Sequence, residues 1–322
     1  STQGYSSAAS DVYKRQVIYP EGVCVMSEMI TEYRNENTKD IDLLSTIDIV
    51  RKINEEDKLV ALAIEDETPN IAKAIDMIAK QFLMGGKLYY FGAGTSGRIG
   101  ILDASECPPT FGVPADMVTG IIAGGDKAIR TAVEGAEDNF ELGEEDAKIL
   151  TAQDVCVVIS ASGNPKYLLG VLAQADRVNC RTIALTCNHK ALILEEAGLG
   201  ICVEVGPEVI AGSSRMKAGS VQKMVLNMLS TGAMIKIGKT YENFMIDLMP
   251  TNEKLKDRAI RIVSEIAGVN NSTALQKLLE CGWSVKTAII MLKCNMDKAQ
   301  AEEALRKNCG VLRRTLNSFS KL

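Results

Sequence analysis

Several features that would point this chain toward other functions are missing. Lys and Arg number 36 against 41 Asp and Glu, a net charge of −5, which leaves no basic surplus for nucleic acid. No run of about 18 apolar residues occurs, so no segment reads as a membrane-spanning helix. The nine cysteines (24, 107, 156, 180, 187, 202, 281, 294 and 309) form no C-x-x-C pair, so nothing resembles a metal cluster. Most lie in apolar surroundings, such as Cys156 in VCVVIS, and read as buried free thiols of a reducing cytoplasm. Histidine is almost absent, His189 being the single one. There is no internal repeat and no low-complexity linker.

What is present suits a protein with a large core. At 322 residues, 46% hydrophobic and 24% charged, the chain is long enough for two domains. The first 16 residues, STQGYSSAASDVYKRQ, show no periodicity, and no apolar stretch follows Lys14-Arg15 as a signal peptide would require. Residues 1–25 are therefore expected to be a non-native or disordered leader, with the native chain starting near Met26 or Met29.

Residues 45–83 carry helical spacing, as in IDIVRKI and IAKAIDMIAKQFL, broken near Pro69. Short apolar runs at 87–91, 117–122, 154–160, 181–186 and 200–205 read as buried strands, separated by helical segments at 125–136, 140–149, 164–176 and 189–197. That alternation predicts an α/β fold, a parallel sheet covered by helices on both faces. A long, almost wholly apolar helix is expected over about 215–237, and after Pro250 only helical patterns remain, at 252–267, 272–280, 284–292 and 296–308. The expected organisation is a helical arm plus sheet domain over 26–250 and a small all-helical C-terminal domain over 251–322.

The stretch YYFGAGTSGRIGILDASECPPTFGVP, Tyr89 to Pro114, carries the strongest chemical signal. A strand runs into Gly92-Ala93-Gly94-Thr95-Ser96-Gly97, and the helix that follows points its free N–H groups at that turn, a site for phosphate. Glu106 comes about a dozen residues later, where Pro108-Pro109 are expected to end the helix. Flanked by Cys107 and two prolines, its carboxyl is expected to be partly desolvated. The turn also satisfies G-x-G-x-x-G at Gly92, Gly94 and Gly97, so a dinucleotide is an alternative ligand. Two features argue against it: the helix cut short by prolines, and the lack of an acid closing the next strand near residue 120. A purely structural turn is a third reading.

Three further groups could join this turn. Ser160-Ala161-Ser162-Gly163 lies between a strand and a helix, where its hydroxyls complete a phosphate cradle or simply cap the helix. Gly212-Ser213-Ser214-Arg215-Met216-Lys217 starts the long helix. One helix terminus contributes only about 0.3–1 kcal/mol to an anion, so Arg98, Arg215 and Lys217 are candidate cations beside Gly94, Thr95, Ser96 and Gly97, or else solvated surface charges. Glu134 and Glu137, three apart in AVEGAEDN, are expected to share a helix face.

FGAGTSGRIGILDASECPPTFGVP, then IIAGGDKAIRTAVEGAEDN, then AGSSRMKAGSVQKMVLNMLSTGAMIKIGK, together resemble the N-acetylmuramic acid 6-phosphate etherase family over roughly residues 28–320. The resemblance implies a sugar isomerase (SIS) domain with a helical tail, a bacterial cytoplasmic homodimer, and no metal or nucleotide cofactor. It implies removal of D-lactate from the sugar's 3-ether in cell-wall recycling. It further assigns Glu106 as the acid that protonates departing lactate and later activates water. Glu137 becomes the base at carbon, and Thr95, Ser96 and Ser162 hold the phosphate. Two carboxylates with opposite starting protonation states let one site run both steps. Two positions depart from the family pattern: Pro165 replaces a phosphate-loop hydroxyl beside Lys166, and His189, read as a surface residue, replaces a proline. A non-catalytic sugar-phosphate sensor, as in glucokinase regulatory protein, and an aldose–ketose isomerase are the alternatives on the same fold. Retention of both glutamates argues against the sensor.

Overall fold

The computed structural model describes residues 30–319. The expected leader at 1–25, Cys24 and both candidate start methionines lie outside the described residues.

Three short 3-10 turns (Ile30–Glu32, Glu36–Thr38, Ile41–Leu43) lead into helix α1, Thr46–Glu65. Ser45 starts it, its side chain accepting the Asp48 amide. Helix α2, Thr68–Leu83, begins at the expected break because Pro69 falls in its first turn, the place where a missing N–H is harmless.

Five strands follow: β1 Leu88–Gly92, β2 Val118–Ile122, β3 Val155–Ile159, β4 Arg181–Thr186 and β5 Leu199–Cys202. They form one all-parallel sheet in the order β2-β1-β3-β4-β5. Between them run α3 (Gly94–Phe111), α4 (Asp126–Arg130), α5 (Phe140–Asp146), α6 (Lys166–Arg177) and α7 (Leu192–Glu196). Period-2 alternation divides the sheet's side chains between two cores. Leu88, Tyr90, Val157 and Leu185 pack with α1, α2, α3 and the long helix α8 (Lys217–Lys236). Tyr89, Phe91, Val158 and Ala184 pack with α6 and α7 on the other face. The architecture is three-layered, with helices covering both faces of the parallel sheet.

Three boundaries differ from expectation. Pro108 and Pro109 do not end α3, which runs on to Phe111 and closes at Gly112, a left-handed residue whose N–H bonds Pro108 O. Proline forbids the bond to the residue four before it, but the turn survives where packing supplies the difference. The expected helix over 125–136 is only α4, because the chain turns extended at Thr131 and Gly135 takes φ +72°. A short hairpin, β6 Thr240–Tyr241 with β7 Phe244–Met245, was not foreseen. Two-residue strands carry too little periodicity to read.

Beyond it lie α9 (Glu253–Ala267), α10 (Asn271–Glu280), α11 (Val285–Cys294), α12 (Lys298–Lys307) and α13 (Leu312–Phe319). This helical C-terminal region gathers around its own cluster, with Ile246, Ile262, Leu278, Ile289 and Leu312 buried in it.

Candidate active site

β1 lies between β2, its successor in the chain, and β3, so the connections that leave the carboxyl ends of the neighbours β1 and β3 run in opposite directions. A crevice opens at such a point. The turn after β1 and the loop after β3 flank it. On the first side Ala93 precedes α3 in extended conformation and makes no side-chain cap, so no side chain competes for the first amides of the helix. Gly94 takes φ +53°. A methyl at Gly97 would stand 2.6 Å from Gly92 O and 2.6 Å from Ile122 Cγ1, which is how closely α3 settles on the sheet. A methyl at Gly219 in α8 would lie 3.7 Å from Thr95 Cγ2 and 3.6 Å from Ile99 Cδ1. The first turns of α3 and α8 are therefore neighbours.

On the second side Ser160 Oγ accepts the Gly163 amide at 2.9 Å and sits 3.3 Å from Ser162 Oγ. Asn188 Nδ2 donates to Ser162 O at 3.1 Å, and Thr186 Oγ1 to Ala161 O at 3.2 Å. The loop is thus pinned from β4. Ser160 is not a helix cap, since α6 starts later, at Lys166 after Pro165, without a side-chain cap. Lys166 is exposed.

The structure corrects Lys217 among the candidate cations and engages Arg98 with the backbone of α4. Lys217 is turned inward, its Nζ 2.6 Å from Glu56 Oε2, with both side chains buried. The amides of Lys217 and Ala218 are taken by the buried Glu208 carboxylate at 2.9 and 3.0 Å. The start of α8 is therefore already occupied by an anion of the protein's own. Arg98 gives Nε to Ile129 O and Nη2 to Ala128 O, both at 2.8 Å, and so closes the last turn of α4. Arg215 is exposed and Ser213 and Ser214 half-buried on the segment before α8. That segment is held by Gly212 N–H to Thr31 O at 3.1 Å and Thr38 Oγ1 to Val209 O at 2.8 Å.

The two carboxylates lie on different parts of the frame. Glu137 is exposed on the turn after α4, and its backbone oxygen accepts the Tyr167 amide at 3.0 Å. That bond ties it to the first turn of α6, beside the loop after β3. It does not share a helix face with Glu134, since Val133 O accepts the Ala136 amide in a turn and not in a helix. Glu106 is exposed too, so the desolvated setting expected from its neighbours is absent; only Cys107 is buried. Because α3 is unbroken, Glu106 stands twelve residues, about 18 Å, along the helix from Gly94. The turn 93–97 and the loop 160–163 leave paired strands, the start of α8 lies against Thr95, and Glu137 is tied to the first turn of α6, while Glu106 lies farther along α3. His189 is exposed, its Nδ1 against the Glu204 carboxylate.

A buried polar group escaped the sequence reading. Asp103 accepts from Tyr90 OH at 2.9 Å, Asn227 Nδ2 at 2.6 Å and Ser230 Oγ at 3.0 Å, joining β1, α3 and α8. Burial first, and then the Asp103 carboxylate, holds the Tyr90 phenol well above its usual range. Burial likewise pushes the Cys107 thiol up to about 12. Only the GILDASEC spacing hinted at this, since Asp103 falls on the apolar side of α3.

Comparison with known proteins decides the family. The N-terminal SIS domain of glucokinase regulatory protein matches residues 70–176, and the SIS domain matches residues 128–232. The N-acetylmuramic acid 6-phosphate etherase of Clostridium botulinum (strain Okra / Type B1) is 50% identical over 297 residues, 92% of this chain and 98% of that protein. The protein of the same name from Caldanaerobacter subterraneus subsp. tengcongensis is 52% identical over 289 residues, 89% of this chain and 94% of that one. The chain belongs to the N-acetylmuramic acid 6-phosphate etherase family. Among solved structures, a phosphoheptose isomerase from Francisella tularensis aligns over 60% of this chain and 100% of its own at 19% identity, with a TM-score of 0.49. Of the two arguments against a dinucleotide, the shortened helix does not hold, while β2 does end in Ile122-Ala123-Gly124 without an acid.

Proposed function

We propose that this chain cleaves the D-lactyl ether of N-acetylmuramic acid 6-phosphate, giving N-acetylglucosamine 6-phosphate and D-lactate. The observation that carries the phosphate end is the uncapped start of α3 at the crevice, with Thr95 and Ser96 in its first turn. Ser160 and Ser162 face it from the loop after β3, and Ser213, Ser214 and Arg215 from the segment before α8. In the ring-opened sugar the C2–H is acidic beside the C1 aldehyde. Glu137 takes that proton, and the electron pair forms the C2=C3 bond as the C3–O bond to lactate breaks. Glu106 gives its proton to the departing oxygen. As carboxylate it then takes a proton from water, whose oxygen adds at C3, while C2 is reprotonated. Positioned acids and bases of this kind contribute about 10²–10⁴-fold each.

The distance along α3 supports a homodimer, in which a second copy of the chain supplies Glu106. Leu102, four residues before Glu106 and on the same helix face, is 52% exposed, an apolar surface that a partner would cover. In a homodimer the α3 of one copy can bring Glu106 to the crevice of the other. The helical region from Glu253 onward is proposed as a separate small domain. The eight free thiols among the described residues fit a cytoplasmic setting, and no helix among them is long and apolar enough to cross a membrane.

The test is D-lactate release from N-acetylmuramic acid 6-phosphate by wild type, Glu106→Ala and Glu137→Ala. Each variant is expected to lose at least about 10²-fold. Glu106→Ala should keep solvent exchange at C2, and Glu137→Ala should lose it. A folded wild type that binds the sugar phosphate without releasing lactate would overturn the etherase reading in favour of a sensor.

A further inference from the structure

The turn that carries Glu106 is weak by its own hydrogen bonding. Pro108 and Pro109 have no N–H to give, so the carbonyls of Ala104 and Ser105 receive no intrahelical bond. These two missing bonds enclose Glu106 on either side. Ser105 Oγ is already spent on Leu102 O at 2.9 Å. The end of the helix is closed by the Gly112 N–H to Pro108 O bond at 2.9 Å, and the Cys107 thiol donates to Asp103 O at 3.4 Å.

Support comes from outside. Gly112 packs so closely on the irregular segment after the hairpin that a methyl there would stand 2.0 Å from Asp247 O and 3.5 Å from Asp247 Cβ. The Asp247 carboxylate is itself gripped. Lys286, from α11 of the C-terminal region, reaches it at 2.6 Å and also donates to Gly310 O at 2.8 Å. Lys239, just past α8, lies 3.3 Å from the same carboxylate oxygen. The Lys286 side chain is only 11% exposed, which is a costly place for a cation without a structural return. The neighbours Ile246 and Leu248 are buried in the C-terminal cluster. A continuous path thus runs from α11 through Lys286, Asp247 and Gly112 to the last turn of α3.

We propose that Lys286 is a positioning residue for the etherase reaction, clamping Asp247 against Gly112 and so fixing the proline-weakened turn from which Glu106 works. This gives the helical C-terminal region a part in the chemistry through the position of Glu106. The inference rests on the reading of Glu106 as the acid that protonates lactate.

The experiment compares Lys286→Met with Glu106→Gln and wild type in the full chain, measuring kcat and KM for D-lactate release and the rate of C2 proton exchange. A misplacement of about an ångström costs up to about 10²-fold. Lys286→Met should therefore lower kcat at least about tenfold while KM and C2 exchange stay within about twofold. An unchanged kcat overturns the inference, and so does a parallel fall of kcat and C2 exchange, which would mean general loosening. Should Lys286→Met not fold, Asp247→Asn carries the same expectation, since it keeps shape and one acceptor while removing the ion pair. Lactate release by Glu106→Gln at the wild-type rate would sink the acid assignment itself, an outcome separable from failure of the clamp.

Discussion

Lys217 reaches from the start of α8 to Glu56 on α1, a 2.6 Å bond between side chains almost wholly withdrawn from solvent. Asn37 Nδ2 donates to the other Glu56 oxygen at 3.1 Å, so the pair also fastens the N-terminal turns to the segment carrying Ser213 and Ser214. Removing one partner of a buried pair leaves an uncompensated charge, at about 3–5 kcal/mol. Lys217→Met should lower unfolding free energy by that order in urea titrations. The double variant Lys217→Met/Glu56→Leu should cost less than Lys217→Met alone. If the two changes simply add, the pair is not coupled as described.

The same pair sets a pH dependence. Burial pushes the Glu56 carboxyl up, but hydrogen bonds from Lys217, Asn37 and Asn35 together outweigh it and hold the group below its usual 4.5. A carboxyl depressed in the folded state adds stability that is complete above the unfolded value and is lost as pH falls through the folded one. The stability gap between wild type and Glu56→Gln should therefore be constant near neutrality and shrink below about 4.5. A gap that widens on acidification would contradict this account.

Gly97 offers a test of the turn proposed to hold the phosphate. With Gly92 O and Ile122 Cγ1 both 2.6 Å from where a methyl would sit, Gly97→Ala must lift the first turn of α3 from the sheet. Overpacking of this sort costs about 1–3 kcal/mol, and the amides at the crevice move with it. The expected result is a lower Tm together with a KM for the sugar phosphate raised about tenfold. A variant with wild-type KM would show that these amides do not bear on the phosphate.

How far the sequence alone carries can be seen residue by residue. The buried strands were legible because a parallel sheet between two helical layers needs continuous apolar runs, and the shortness and the β-branched or aromatic content of VCVVI and LYYFG favour strand over helix. Pro69 marked a helix start correctly, yet Pro108-Pro109 misled. Proline's local effect is the same in both places, but in α3 the contact of Gly112 with Asp247, 135 positions later, holds the turn. Side-chain destinations were the least readable. Arg98, Arg215 and Lys217 look alike in one dimension, and only the folded chain shows that two of them are engaged by Ala128, Ile129 and Glu56. Glu106 and Gly94 looked close because sequence distance conceals the rise of an unbroken helix.

Arg98 separates two accounts of this site. Its guanidinium holds the carbonyls of Ala128 and Ile129 at 2.8 Å, the last turn of α4, from which the chain proceeds directly to the turn bearing Glu137. Hydrogen bonds from a charged donor contribute about 1.5–3 kcal/mol each, so Arg98→Met should loosen that turn. On this account the variant loses C2 exchange and kcat together, by roughly tenfold, because the base is displaced while the phosphate contacts remain. Were Arg98 instead a phosphate ligand, as its place just past the first turn of α3 suggests, KM would rise and C2 exchange at saturating substrate would be preserved. Measuring both quantities on the one variant decides between an arginine that grips substrate and one that aims Glu137.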